Sequence, residues 1–176
     1  MKSTGVIRRI DDLGRIVIPK EIRKNLRIKE GDNLEIFVNE EDVILKKYSL
    51  MNKISDISSD LTDSIYTFMK HSIFITDTDR IVAASGPLKK EYINKNISER
   101  LVDSIKRREK YLENHFKELD ITGEKNITCS YVISTIIAGG EAVGLILIVS
   151  SDEILGENEM QMASIASSFM TKYLEQ

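Results

Sequence analysis

The chain has 176 residues, of which 41% are hydrophobic and 30% are charged, and its formal net charge is −3. This composition is typical of a globular protein with one domain or two small ones, and no apolar run approaches the roughly 20 residues of a membrane-spanning helix. The start of the sequence lacks the apolar core of a signal peptide, so we expect a cytoplasmic protein that contacts no membrane. Cys129 is the single cysteine, which excludes an intramolecular disulfide framework.

Positive charge is concentrated near the amino terminus, although the chain as a whole is acidic. Residues 1–30 contain nine Lys and Arg against four Asp and Glu, a net charge of +5. Residues 54–176 contain thirteen against nineteen, a net charge of −6. This distribution indicates an anion-binding N-terminal part attached to an acidic C-terminal part.

The first 50 residues predict a small β-rich module. Residues 5–10 and 16–18 are rich in Val and Ile and predict two short strands around the turn DDLG. The sequence PKEIRKNL predicts a short helix with Pro19 at its first position, and NLEIFV and VILKKY predict two further strands. A module of this size buries little surface, and its strands carry apolar side chains on both faces. We therefore predict that it forms an interleaved dimer.

The next segment predicts an amphipathic helix followed by a pair of strands. Apolar residues recur at three- and four-residue steps from residue 54 to 69, namely Ile54, Ile57, Leu61, Ile65 and Phe68 or Met69. HSIFITD and RIVAASG predict two strands joined by the turn DTD. Residues 96–112 predict a second helix with Asn96 as its N-cap, and we interpret its basic sequence KRREK as a solvated face.

The last 50 residues predict a β-hairpin and a final helix. NITCSYVISTIIA and EAVGLILIVSS predict two long strands, and the two glycines between them suit a hairpin turn. Residues 156–176 predict a helix with one broad apolar side, formed by Met160, Ala163, Phe169, Met170, Tyr173 and Leu174. The order of elements predicts an α+β domain. Its first and last helices are expected to pair between protomers in a four-helix bundle, the alternative being that each covers its own sheet.

The sequence LGRIVIPKEIR, within the strand and helix pattern of residues 1–48, resembles the DNA-binding domain of the AbrB transition-state regulators. The resemblance implies that residues 1–50 form an AbrB-like swapped-hairpin domain, in which two protomers exchange hairpins to make one small β-barrel that binds double-stranded DNA. The DNA contacts that it implies are Arg8, Arg15, Arg23 and Lys24, with Arg9, Lys20 and Arg27 as further candidates. Guanidinium groups also suit phosphate oxygens and guanine edges on chemical grounds. The alternative is that these side chains are solubilising surface charges.

The combination of this domain with a C-terminal α+β domain resembles a family of sporulation regulators from endospore-forming bacteria. The resemblance implies that residues 51–176 form a GAF-like domain with flanking oligomerisation helices. It also implies a transcription regulator of sporulation genes, associated with the nucleoid and located in the forespore. If the two domains each dimerise with a different partner, a homotetramer follows. Candidate ligand-binding residues between the sheet and the helices are Tyr92, Ser130, Tyr131 and Thr135, where an unidentified small-molecule effector would bind; alternatively, these side chains fill a core.

The sequence offers little support for catalysis or metal binding. It lacks the GxSxG, P-loop and GxGxxG motifs, and His71 and His115 do not have the spacing of metal ligands. Asp77 and Asp79 suit a hairpin turn, and Cys129 has no second thiol to resolve a redox reaction. We therefore expect neither an enzyme nor a bound cofactor or metal. Two alternative functions are a small-molecule sensor with secondary DNA binding and an antitoxin-like autoregulator, because antitoxins share the N-terminal domain.

Overall fold

The structure, a computed structural model, describes residues 5–48 and 55–176. The chain divides into two compact units, residues 1–48 and residues 49–176, which are called the N-terminal unit and the C-terminal unit below. The predicted helical position Ile54 lies outside the described residues. Among the described residues, no helix has both the length and the apolar character needed to cross a membrane.

The N-terminal unit contains one short helix and one β-hairpin. Helix α1 spans Lys20–Asn25, and Pro19 is its N-cap residue, one position before the predicted place. Strands β1 (Leu34–Asn39) and β2 (Asp42–Lys47) pair in antiparallel register, as predicted. The turn of the sequence DDLG is also present, because the N–H of Gly14 donates to the carbonyl of Asp11 (3.0 Å).

The two predicted strands at residues 5–10 and 16–18 are not strands in this chain. Neither segment forms a strand in the described part of the chain, although the N–H of Asp11 donates to the carbonyl of Arg15 (3.1 Å). A strand exists only with a neighbour that completes its ladder of hydrogen bonds, and apolar content cannot supply that neighbour. The two predicted strands are therefore absent from the single chain.

No described residue of the N-terminal unit is buried. Its large apolar side chains are exposed instead, and they occur in the two extended segments, in the residue after α1 and in both strands: Val6, Ile7, Ile10, Leu13, Ile16, Val17, Leu26, Ile36, Phe37, Val38, Val43 and Leu45. Ile7 is 87% exposed and Val38 is 75% exposed. An apolar surface of this extent, without any interior, is typical of a surface that another chain covers.

The C-terminal unit is an antiparallel five-stranded sheet with helices on both faces. Its elements in chain order are α2 (Ser55–Met69), β3 (Ser72–Thr76), β4 (Ile81–Ser85), α3 (Lys89–Tyr92), α4 (Glu99–Lys106), β5 (Lys110–Asp120), β6 (Asn126–Ala138), β7 (Glu141–Ser150) and α5 (Glu157–Leu174). The strand order is β4-β3-β7-β6-β5. This architecture confirms the α+β class and the predicted β6–β7 hairpin.

Two apolar cores lie on the two faces of the sheet. The first core contains Phe74, Tyr92, Leu101 and Tyr131, and it is covered by α3 and α4. The second core contains Ile65, Ile146, Ala163 and Met170, and it is covered by α2 and α5. Because successive residues of a strand point to opposite faces, neighbouring residues of β6 contribute to different cores.

Three details of the predicted C-terminal helices were wrong. Helix α4 begins after Ser98, whose hydroxyl accepts the N–H of Leu101 (3.4 Å), and not after Asn96. The helix ends at Lys106, so that Lys110 already belongs to β5 and the KRREK sequence does not lie on one helical face. Apolar residues of α5 occupy two sides, because Met170 is buried whereas Phe169 and Tyr173 are each 41% exposed.

Candidate nucleic-acid interface and candidate ligand site

The six basic residues predicted to contact DNA are all exposed in the N-terminal unit. Arg8 and Arg9 lie in the first extended segment and Arg15 follows the turn, whereas Lys20, Arg23 and Lys24 lie on α1. Arg27, a further candidate, is partly buried at the end of this helix. The described part of the unit therefore presents its cationic groups to solvent.

Asp11 orients the guanidinium group of Arg15. Its Oδ2 accepts the Nε–H of Arg15 at 2.8 Å, and its Oδ1 accepts the backbone N–H groups of Leu13 (3.1 Å) and Arg15 (2.8 Å). The backbone N–H of Arg15, followed by its guanidinium group, holds the pKa of Asp11 below its usual value. Because the carboxylate uses only Nε of Arg15, the two terminal nitrogens can still donate to a phosphate group.

The backbone at the end of α1 fixes this helix against the hairpin. Arg27 adopts a left-handed conformation (φ 52°), and the N–H of Ile28 donates to the carbonyl of Arg23 (2.8 Å), as in a Schellman motif. The Nζ of Lys47, on β2, donates to the carbonyl of Arg27 (3.4 Å) and pairs with Asp32 (3.2 Å). A helix of six residues is marginal alone, so these contacts stabilise the placement of Arg23 and Lys24.

The four predicted ligand-binding residues do not share one side of the sheet. Tyr92 and Tyr131 lie in the core beneath α3 and α4, and each is 1% exposed. Ser130 points to the opposite face, where its hydroxyl donates to the carbonyl of Glu113 (2.6 Å) and accepts the N–H of Leu155 (2.9 Å). Thr135 donates to the carbonyl of Glu109 (2.8 Å). The hydroxyls of Ser130 and Thr135 therefore tie neighbouring backbone segments together.

Tyr131 belongs to a polar cluster that sequence reasoning missed. Its hydroxyl accepts a hydrogen bond from Nη2 of Arg100 (2.5 Å), and the ring of Tyr111 lies 5.9 Å away. The hydroxyl of Tyr111 donates to Glu113 (2.9 Å), which is why the pKa of this carboxyl lies below its usual value. Tyr111 lies in residues 110–112, the part of β5 that was predicted as helix, and no element was predicted for Glu113, so no sequence signal brought these side chains near Tyr131.

Burial raises the pKa of two groups in the core beneath α3 and α4. It raises the pKa of the Cys129 thiol to about 11, and it raises the pKa of Tyr92 to about 12 with a further contribution from the charge of Glu91. Both groups therefore stay protonated at neutral pH. Within the described residues, no cluster of three or more His, Cys, Asp or Glu side chains has the geometry of a metal site.

The fold and the exposed basic residues define a two-unit protein, in which a cationic β-rich module precedes an α+β domain. Residues 53–175 match the family model "Stage V sporulation protein T C-terminal, transcription factor", and residues 7–51 match the model "Antidote-toxin recognition MazE, bacterial antitoxin". Stage V sporulation protein T of Bacillus subtilis (strain 168) is 44% identical over 178 residues, which cover 100% of each chain. The chain therefore belongs to the stage V sporulation protein T family, which confirms the predicted resemblance.

Two further similarities are to a relative and to a solved structure. The transition state regulatory protein AbrB of Bacillus subtilis (strain 168) is 49% identical over 63 residues, which cover 36% of this chain and 65% of that protein. A solved structure of the cofactor-binding GAF domain of the nutrient sensor CodY from Clostridium difficile is similar with a TM-score of 0.52. Its identity is 11%, and the match covers 88% of this chain and 94% of that one. This likeness shows the fold, so the predicted GAF-like architecture is confirmed.

Proposed function

We propose that this protein is a transcription regulator of sporulation genes that binds double-stranded DNA through the N-terminal units of two protomers. The observation that carries the proposal is the exposure of six basic side chains on a unit whose apolar side chains are also exposed. A second copy covers the apolar surface, and the pair then presents each cation twice. Membership of a family described as a transcription factor supports the same reading.

Arg8, Arg15, Arg23 and Lys24 are the principal DNA contacts in this proposal, with Arg9 and Lys20 beside them. Arginine can donate two parallel hydrogen bonds to phosphate or to guanine, whereas Lys24 supplies a point charge. Asp11 keeps the Arg15 side chain in place, at 2.8 Å from its Nε. The function requires DNA binding and assembly, and no step of it requires catalysis.

Self-association at two places completes the proposed assembly. The N-terminal units pair by exchanging hairpins, which lets residues 5–10 and 16–18, irregular in one chain, form strands with the second protomer. The C-terminal units associate through α5, where Ile165, Phe169 and Tyr173 form an exposed row at four-residue spacing. If the two contacts join different partners, the assembly is a homotetramer. We place it in the cytoplasm, on the nucleoid of the forespore.

Salt-dependent DNA binding tests the proposal. Four principal cations per protomer give eight phosphate contacts per dimer, which predicts a slope near −7 for log K against log salt, from about −0.9 per contact. The titration uses the full chain and a DNA duplex that the protein itself has selected by binding from a random-sequence pool. A slope near zero, or failure to retain any duplex at low salt, would refute DNA binding. Deleting residues 54–176 should lower both the number of chains in the assembly and its affinity for DNA.

An antitoxin-like autoregulator is the second candidate, because residues 7–51 match an antitoxin model. The chain continues from this segment into the folded C-terminal unit, whereas an antitoxin of this kind needs an extended segment to wrap its toxin. Since residues 55–176 are occupied by the five-stranded sheet and its helices, we favour the transcription regulator.

A further inference from the structure

A cavity of about 310 Å³ lies in the C-terminal unit, and none of the four predicted ligand residues lines it. Three chain segments form its wall: the connection from α2 to β3, the connection from β4 to α3, and the end of β7. Its lining residues are Lys70, His71, Ser72, Pro87, Leu88, Val149, Ser150, Ser151 and Asp152. The volume falls at the small end of the range for ligand sites, about 300–1,000 Å³, which suits a small metabolite.

The floor of the cavity is buried and contains a hydroxyl group that can donate a further hydrogen bond. Ser72, Val149 and Ser150 are at most 5% exposed. A Cβ on Gly86 would lie 2.8 Å from the Cα of Ser72, so the two backbones are in direct contact. The hydroxyl of Ser72 accepts the N–H of Leu88 (3.3 Å), and within the described residues its own proton has no acceptor. That proton can therefore be donated to a ligand oxygen.

Lys70 lines one side of the cavity and forms no ion pair with a carboxylate among the described residues. Lys70 follows α2 in a left-handed conformation (φ 61°), which its N–H stabilises by donating to the carbonyl of Tyr66 (2.9 Å). Its ammonium group lies 5.7 Å from the centre of the Tyr66 ring. No ion pair joins Lys70 to any carboxylate in the described part of the chain. This lysine can therefore bind a ligand carboxylate.

Asp152, which follows the end of β7, also lines the cavity, and it forms no ion pair with a basic side chain among the described residues. Asp152 accepts the hydroxyl of Ser150 at 2.8 Å, and Ser150 in turn accepts the N–H of Glu153 at 3.0 Å, so the acidic side chain is held in place. No ion pair joins Asp152 to a basic side chain among residues 5–48 and 55–176. His71, which also lines the cavity, lies with its Nε2 3.7 Å from Oε2 of Glu153.

We propose that this cavity binds a small zwitterion with one carboxylate group, one ammonium group and a short apolar part. The carboxylate pairs with Lys70 and accepts the proton of Ser72, while the ammonium group pairs with Asp152. The apolar part lies against Leu88 and Val149. A ligand with a carboxylate alone would be repelled by Asp152, and one with an ammonium group alone would be repelled by Lys70. The ligand would give the C-terminal unit an effector, independently of DNA binding.

Calorimetric titration of the full chain without DNA tests the proposal. The probes are glycine, L-alanine, L-valine, L-leucine and 4-aminobutanoate, each at up to about 10 mM. The most tightly bound α-amino acid is then compared with its two single-charge analogues; for L-leucine these are 4-methylpentanoate and 3-methylbutylamine, which keep the branched alkyl group. We expect each analogue to bind at least about tenfold more weakly than the zwitterion, which corresponds to the loss of one charge pair. Should 4-aminobutanoate bind most tightly, butanoate and butylamine are its analogues.

Single substitutions then test whether the ligand binds in this cavity. Lys70→Gln and Asp152→Asn should each weaken the zwitterion at least about tenfold, whereas the exposed controls Lys90→Gln and Asp60→Asn should leave its affinity within about twofold. Arg100→Gln is the control for binding at the cluster of Arg100 and Tyr131 beneath α4 instead. Absence of binding by every probe, unchanged affinity in Lys70→Gln, or a loss confined to Arg100→Gln would each overturn the proposal. Because no DNA is present, these outcomes leave the proposed DNA-binding function untouched.

Discussion

The backbone of Gly144 lies directly against the carbonyl oxygen of Thr76. A Cβ atom on Gly144 would be 1.9 Å from this oxygen and 3.0 Å from its carbon, which is closer than non-bonded atoms approach. The two residues belong to the neighbouring strands β7 and β3, and the next residue, Leu145, donates its N–H to the hydroxyl of Thr76 (3.3 Å). Gly144 is therefore required by the close approach of two strands at the centre of the sheet.

Replacing Gly144 with alanine should destabilise the C-terminal unit by about 3 kcal/mol. The new Cβ would meet the backbone carbonyl of Thr76, which cannot rotate out of the way as a side chain could. Denaturant unfolding of the full chain measures the loss. Gly156→Ala is the matched control, since its Cβ meets only a carboxylate oxygen of Glu159 at 3.8 Å, and it should cost at most about 1 kcal/mol as an N-cap change. Equal stability of the two variants would contradict the proposed contact.

Asp11 and Asp12 offer a comparison that separates charge from orientation at the DNA-binding surface. Each substitution to asparagine removes one negative charge, but only Asp11 bonds to the guanidinium group of Arg15. If Asp11 positions Arg15, Asp11→Asn should bind DNA about threefold to tenfold more weakly than Asp12→Asn at the same salt concentration. Gel-shift titration with one duplex measures both. Equal affinities would mean that Arg15 needs no positioning.

The number of phosphate contacts can be counted by replacing single basic side chains with uncharged ones. Arg15→Gln removes two cations from a dimer, so the slope of log K against log salt should become less steep by about 2. Lys29→Gln is the control, because Lys29 is exposed in the same unit but is not among the proposed contacts. An equal change of slope in both variants would show that binding depends on net charge alone.

The sequence predicted most elements of the fold because they are encoded by local patterns, and it failed where tertiary contacts decide. The first three residues of β5 were predicted as the end of a helix, since the sequence KRREKYL is rich in helix-forming side chains. Helix α4 ends instead in a Schellman motif, with Arg108 in the left-handed position (φ 55°) and the N–H of Glu109 donating to the carbonyl of Ser104 (3.0 Å). Glycine usually marks such an end, and arginine gives no such signal.

The candidate sites show the same division between local and tertiary information. The choice of the six basic residues followed from the concentration of positive charge near the amino terminus and from the family resemblance. The cavity between Lys70 and Asp152 did not, because the two residues are 82 positions apart and meet only through the order of the strands. Ser130 and Tyr131 are adjacent in sequence but point to opposite faces, which a strand assignment alone should have made plain.

Stability should fall in alkaline solution because two core groups resist ionisation in the folded state. The thiol of Cys129 has a pKa near 9.0 when unfolded and about 11 when folded, and Tyr92 moves from 10.0 to about 12. Below pH 9 both states are protonated and the stability is intact. As the pH rises toward 11, the unfolded chain loses the thiol proton first, which favours unfolding by up to roughly 2–3 kcal/mol.

Unfolding free energies measured between pH 8 and pH 10 test this dependence. Cys129→Ala is less stable at every pH, because it leaves space in the core, but its free energy should fall less steeply above pH 9 than that of the unchanged chain. Parallel curves for the two proteins would show that the thiol does not cause the decline. The folded thiol should also react slowly with iodoacetamide at pH 8, since it is fully buried.

The exposed row on α5 should control assembly without affecting the fold. Ile165 is 63% exposed, and the rings of Phe169 and Tyr173 stack with their centres 6.2 Å apart, whereas Ala163 and Met170 on the other side of the helix are buried. A charge in the row would have to lose water when two C-terminal units meet, so Phe169→Glu should prevent their association. Light scattering should then give the mass of two chains, whereas the unchanged protein should have the mass of four as the proposed homotetramer. Ser168→Glu adds the same charge beside the row and should leave four chains together. Because the N-terminal units still pair, neither variant should yield a single chain, and a mass that is unchanged in Phe169→Glu would place the second contact elsewhere.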